Sequence, residues 1–126
     1  MATDDPWPTE IRLNADRRAL VVAFDDGTRF ELAAEYLRVL SPSAEVRGHS
    51  PDQRQTVAGK RDVTIAAVAP VGNYAVRLTF SDRHDSGLYT WAYLHRLGRE
   101  RDALWADYLG ELAQKGMSRA PGGTRP

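Results

Sequence analysis

Residues Val22 to Leu40, VAFDDGTRFELAAEYLRVL, decide the fold, because they read as strand, turn, strand and helix and are echoed later in the chain. The run ALVVAF is rich in β-formers. It meets the turn former Asp25-Asp26-Gly27 and a return strand in which Phe30 and Leu32 alternate with Arg29 and Glu31, the pattern of a half-buried hairpin. The helix that follows carries Tyr36, Leu37 and Leu40. Residues Leu78 to Leu97, LTFSDRHDSGLYTWAYLHRL, repeat that order: Phe24 matches Phe80, Leu32 matches Leu88, and each helix holds an aromatic-Leu pair, offset by one residue. Further strands are read at TEIRLN and at VTIAAV, the latter joined at Pro70-Val71-Gly72 to NYAVRLTF, which places Tyr74, Val76, Leu78 and Phe80 on one face. Two strand-turn-strand-helix units of this kind predict an α+β two-layer domain, an antiparallel sheet with helices packed on one face. The second helix is expected from about Thr90 to Leu97, stopped by Gly98. The last, about Arg101 to Gln114, shows Leu104, Trp105, Tyr108, Leu109 and Leu112 as one stripe.

In this register His84 stands where Thr28 does, and Arg83 stands where Gly27 supplies a positive φ. A side chain in that region costs on the order of 1 kcal/mol, so the second turn is expected to be longer or differently shaped.

A length of 126 residues suits one core. Residues 1–6 and 116–126, rich in Pro, Gly and polar residues, read as disordered ends, which leaves 7–115 as a single domain; Trp7, with a Pro on each side, is expected to clip the N-terminus onto it. Seventeen cationic and seventeen acidic side chains cancel to a net charge of +0, so no global field draws the chain to nucleic acid. With no Cys there is no disulfide framework and no thiolate metal site. No apolar run approaches the roughly 18 residues that span a bilayer, and MATDDPWPTE lacks the basic-then-apolar pattern of a signal peptide. A cytoplasmic location with no membrane partner is the expectation.

The residues able to carry chemistry are His49, His84, His95 and scattered carboxylates, without a metal-motif spacing such as H-x-x-x-H. His84 with Asp82 and Asp85 is the nearest approach to a metal site, but neighbouring strand residues point to opposite faces. Ser86 beside His84 lacks a nucleophile elbow, and VAGKRD lacks the upstream Gly and the Ser/Thr of a phosphate loop. His95 reads as a helix boundary residue, and Tyr89, Trp91, Tyr93, Trp105 and Tyr108 as core. No catalytic constellation is complete, so no enzyme is read. The polar connection from Ser41 to Arg61 is long for a small domain. Its Arg47, His49, Arg54, Lys60 and Arg61, with Asp82, His84 and Asp85 of the hairpin, form the candidate binding surface for a partner or an anion.

WPTEIRL, VVAFDDGTRFEL, AEYLRVLSPSAEVRGH, VGNYAVRLTF and HDSGLYTWAYLHRLG, in this order, resemble the DUF971 family, the domain also found at the N-terminus of gamma-butyrobetaine hydroxylase. The resemblance spans about Trp7 to Leu109 and implies an α+β fold. In the hydroxylase such a domain precedes an iron- and 2-oxoglutarate-dependent oxygenase module, helps shape the dimer, and binds zinc through Cys-x-Cys-x-x-Cys and a histidine. Carried over, the three thiolate positions fall on Ser41, Ser43 and Val46 and the fourth ligand on His84. The resemblance therefore implies that zinc has lost three of its four ligands, and no cofactor is expected. Related domains are attached to iron-sulfur cluster carrier ATPases of the Mrp type. The expected role is a non-enzymatic accessory domain that binds a partner protein of metal-cofactor metabolism, with a homodimer as the implied assembly. The alternatives are a metal protein using His84, His49 and nearby acids, or an anion binder through the basic loop.

Overall fold

The computed structural model describes residues 6–42, 56–85 and 87–120, and among them six strands and three helices follow one another. Strands β1 (Pro8–Leu13), β2 (Ala19–Phe24) and β3 (Arg29–Ala33) lead into helix α1 (Ala34–Val39). Strands β4 (Ile65–Val71), β5 (Ala75–Phe80) and β6 (Leu88–Thr90) then lead into α2 (Trp91–Arg99), and α3 (Arg101–Gln114) follows. The fold is α+β, as expected, with its strands divided between two antiparallel sheets, ordered β1-β2-β3 and β4-β5-β6. Each sheet is a meander closed by its own tight turns, whereas α1 and a long connection separate β3 from β4, so no hairpin brings those two edges together. The sheets meet at Arg17, whose carbonyl accepts from the Ile65 N–H at 2.8 Å and whose guanidinium reaches the Ala66 carbonyl at 2.7 Å.

The two units are copies of one another in detail. Val22 pairs with Ile11 and Leu78 with Val68, and both ladders carry an irregularity at the same place, between Pro8 and Glu10 and between Ile65 and Ala67. Both helices start from an extended residue, Ala33 and Thr90, and the Thr90 hydroxyl accepts from the Tyr93 N–H. The β2–β3 turn is closed by Phe24 N–H to Thr28 O (2.9 Å) and Gly27 N–H to Phe24 O (3.1 Å). The β5–β6 turn repeats it with Phe80 N–H to His84 O (3.0 Å) and Arg83 N–H to Phe80 O (2.8 Å). Arg83 therefore adopts a φ of 73° where Gly27 has 90°. The turn at Arg83 keeps its shape, because the same pair of backbone bonds holds Arg83 in the left-handed region despite its side chain, and the expected lengthening falls after it, in one extra residue before β6. The echo also needs one correction of register. Glu31 faces Val21 as Leu88 faces Arg77, so Leu32 corresponds to Tyr89 and Tyr36 to Tyr93, and the offset between the helices disappears. One extra residue after His84 produces the shift.

The units grip each other reciprocally. The Tyr36 hydroxyl donates to the Leu97 carbonyl at 2.6 Å, and the Tyr93 hydroxyl to the Leu40 carbonyl at 2.5 Å. Likewise His95 of α2 meets Asp26 of the first turn at 2.8 Å, while Arg38 of α1 meets Asp82 of the second turn at 2.8 Å. Leu20, Val22, Leu32, Leu37, Val76, Leu78, Tyr89, Leu94 and Leu97 fill one shared core, and Val39, Tyr108 and Leu112 make a smaller one beneath α3. Tyr74, expected on the buried face of β5, lies in the turn before it and is exposed.

Two boundaries differ from expectation. Helix α2 runs through Gly98 to Arg99; a Cβ at Gly98 would collide with the Phe30 ring, so this glycine serves packing rather than termination. Residues 116–120, read as part of a disordered tail, are tied down. Ser118 O accepts from Gly59 N–H, Arg119 O accepts from Arg61 N–H, and the Arg119 guanidinium makes a bidentate pair with buried Glu35 at 2.7 and 2.8 Å. Trp7 packs edge-on against Trp91 at 6.3 Å and exchanges bonds with Asp25, its N–H donating to the carboxylate and its carbonyl accepting from the Asp25 N–H.

Candidate functional site

The corner where α1 ends, beside the second turn, holds most of the chemistry. His84 is buried because the β5–β6 turn folds its ring over Phe80, with ring centres 6.2 Å apart. Leu40 ends α1 and presents Ser41, fully buried, with its Oγ 2.9 Å from His84 Nε2. The imidazole tautomer sets which of the two donates. Gly87 closes the corner, since a Cβ there would stand 2.5 Å from Ser41 Oγ. Behind it, buried Tyr89 donates its hydroxyl to the Leu37 carbonyl; burial pushes its phenol well above the ordinary range.

Asp82 lies on the other side of His84. Its Oδ1 accepts from the His84 N–H at 3.1 Å, and its Oδ2 takes both Lys60 Nζ at 2.6 Å and Arg38 Nε at 2.8 Å. Burial on its own would raise the Asp82 pKa, but Lys60, the His84 N–H and Arg38 together outweigh it and hold the carboxyl at about 2. Arg38 Nη1 is buried and has no hydrogen-bond partner among the described residues. At the matching corner, Thr28 and His95 hold Asp26 at about 2, with Thr28 the larger cause.

Of the sequence-derived surface, Lys60, Asp82 and His84 are brought together. Arg61 is exposed and leans toward Asp62 at 3.9 Å, and Asp85 is exposed. Arg47, His49 and Arg54, together with Ser43 and Val46 of the carried-over zinc positions, lie outside the described residues. Sequence reasoning missed Arg38, Gly87 and Tyr89. The internal echo held the signal for Arg38: matching Tyr36 with Tyr93 sets Arg38 opposite His95 and Asp82 opposite Asp26. His95, read as a boundary residue, is instead seated between Phe24 and Phe30, with ring centres 4.9 and 5.7 Å away.

Zinc does not fit the described part of this corner. A hydroxyl stands where the resemblance puts a thiolate, it bonds the imidazole itself, and the adjacent carboxylate is taken by two cations that oppose a third. Among the described residues no three His, Cys, Asp or Glu side chains converge on a metal position.

The family model described as gamma-butyrobetaine hydroxylase-like, N-terminal, matches residues 11–95. One solution NMR structure is 46% identical over 92% of this chain and 91% of its own, with a TM-score of 0.79. Another is 45% identical over 96% and 90%, with a TM-score of 0.80. A crystal structure of a DUF971-family protein of unknown function from Acidithiobacillus ferrooxidans is 43% identical over 72% and 91%, with a TM-score of 0.60. The search of curated proteins gave no match.

Proposed function

The chain belongs to the gamma-butyrobetaine hydroxylase-like N-terminal family, and from that premise we propose that it is a non-enzymatic accessory domain that binds a partner protein in the cytoplasm. The observation that carries the reading is the closed His84 corner. A catalytic acid or base must reach a substrate and exchange a proton near the working pH. Here Ser41 and His84 are buried against each other, and Asp82, at about 2, stays ionised between Lys60 and Arg38. The side chains that would do chemistry hold the fold instead. What the corner offers outward is exposed Arg61, beside a Lys60 that is paired with Asp82, a cationic rim suited to an acidic partner surface. The resemblance to domains attached to iron-sulfur carrier ATPases makes a metal-cofactor protein the partner class that we favour.

The test is capture from host extract by the full chain, compared with capture by Arg61→Glu, a change at an exposed site. The expected result is a metal-cofactor protein recovered by the wild type and depleted by the variant. Equal recovery of every protein by both chains would contradict the docking role.

A further inference from the structure

We propose that the groove between the outer edge of β3 and the α2–α3 junction binds an extended acidic segment of a partner chain, adding it as a fourth strand to the β1-β2-β3 sheet. The backbone supplies the first support. Among the described residues β3 pairs only with β2, and the bonds Phe24 N–H to Thr28 O and Ala34 N–H to Arg18 O bracket the ladder. With Val22 opposite Phe30 and Leu20 opposite Leu32, alternation turns the N–H and C=O groups of Arg29, Glu31 and Ala33 outward. The Ala33 carbonyl, at the N-cap of α1, accepts the first bond of that helix, so the edge offers the N–H and C=O groups of Arg29 and Glu31 and the N–H of Ala33.

Other edges of the two sheets carry the devices that block strand addition. β1 begins at Pro8 and is irregular there, β4 is irregular near Ile65 and contains Pro70, and β6 is three residues long. β3 has five residues in unbroken register and no proline. A groove of about 280 Å³ runs beside it, walled by Arg29 to Leu32 on one side and by Gly98, Arg99, Arg101 and Asp102 on the other. It is the counterpart, in the first unit, of the corner that Ser41 and Gly87 fill in the second, because Gly98 stands where Ser41 does.

Charge selects the occupant. Three cations, Arg29, Arg99 and Arg101, line the groove against two acids, Glu31 and Asp102, an excess of one positive charge; Arg29 pairs with Glu10 at 2.7 Å and Arg101 leans on Asp102 at 3.6 Å, while exposed Arg99 has no ion pair among the described residues. An extended peptide bearing Glu or Asp at alternate positions meets both the edge and this charge, which is recognition by strand addition. The inference adds a second surface to the proposed partner-binding role and does not depend on the His84 corner.

The test is an NMR titration of the ¹⁵N-labelled full chain with a blocked five-residue peptide of alternating Glu and Val. The expected result is amide shifts at Arg29, Glu31 and Ala33 and at Arg99 to Asp102, weakening with salt. The double variant R99E/R101E, both sites exposed, lowers the affinity by roughly tenfold, while Arg61→Glu leaves it unchanged and so separates this groove from the other surface. Three results would overturn the proposal: no shifts at millimolar peptide, equal binding by the same peptide N-methylated at alternate residues, or the same shifts from inorganic phosphate alone.

Discussion

The contact between Ser41 and His84 can be weighed by a double-mutant cycle. Ser41→Ala removes a fully buried hydroxyl that bonds the imidazole. One bond at about 1 kcal/mol, with the buried imidazole nitrogen left without that partner, gives a loss of roughly 1–2 kcal/mol. His84→Ala removes the same bond and also the ring packed on Phe80. A partly collapsed cavity adds to the lost bond, for a total of about 2–3 kcal/mol. In the double variant the shared bond is counted once, so the sum of the single losses exceeds the double loss by about 1 kcal/mol. Urea unfolding followed by tryptophan fluorescence gives all four stabilities, and an unchanged m-value shows that the unfolded state is not the cause. Losses that add within about 0.3 kcal/mol would refute the bond and with it the account of why this corner is closed.

Three further outcomes follow from the same geometry. Asp82 is held at about 2 in the folded state, so its contribution is present above the ordinary carboxylate range and is lost as pH falls from about 4 to about 2. Asp82→Asn is therefore expected to cost about 2 kcal/mol at neutral pH, well under about 1 kcal/mol near pH 2 and nothing below it, as read by thermal melts across that range. Arg83→Gly relieves a side chain at φ 73° and is expected to raise stability by roughly 0.5–1 kcal/mol, visible as a higher Tm; a fall would show that the Arg83 side chain matters more than its backbone. Gly98→Ala gains helix propensity but drives a methyl into the Phe30 ring, so unfolding free energy is expected to fall by about 1–2 kcal/mol, and a gain would mean that the ring moves freely aside.

The strand, turn and helix order was legible because hairpin turns and apolar alternation are local signals. The repeat was legible as well, yet its register was read one residue out because like letters, Leu32 and Leu88, were aligned. The ladder follows backbone pairing and sets Leu32 against Tyr89. Gly98 reads as a stop signal in one dimension and is a packing site in three, since Phe30 arrives from another element. Arg119 carries no sign in the sequence that Glu35 awaits it. At the candidate site, resemblance brought Ser41 and His84 together, while the cations around Asp82 come from distant segments. No local pattern links Arg38, Lys60 and Asp82.

At the corner beside the end of α1, a Ser41–His84 bond and a clamped Asp82 stand where the resemblance puts zinc ligation, and we propose that they leave no zinc site. A Zn²⁺ titration followed by thermal unfolding and by the His84 imidazole resonances tests it most directly. A real site, with zinc at a hundredfold over its Kd, would stabilise the fold by about 2.7 kcal/mol. The prediction is an unchanged Tm and unmoved His84 resonances at stoichiometric zinc. A stoichiometric rise in Tm with a shifted His84 imidazole would contradict it.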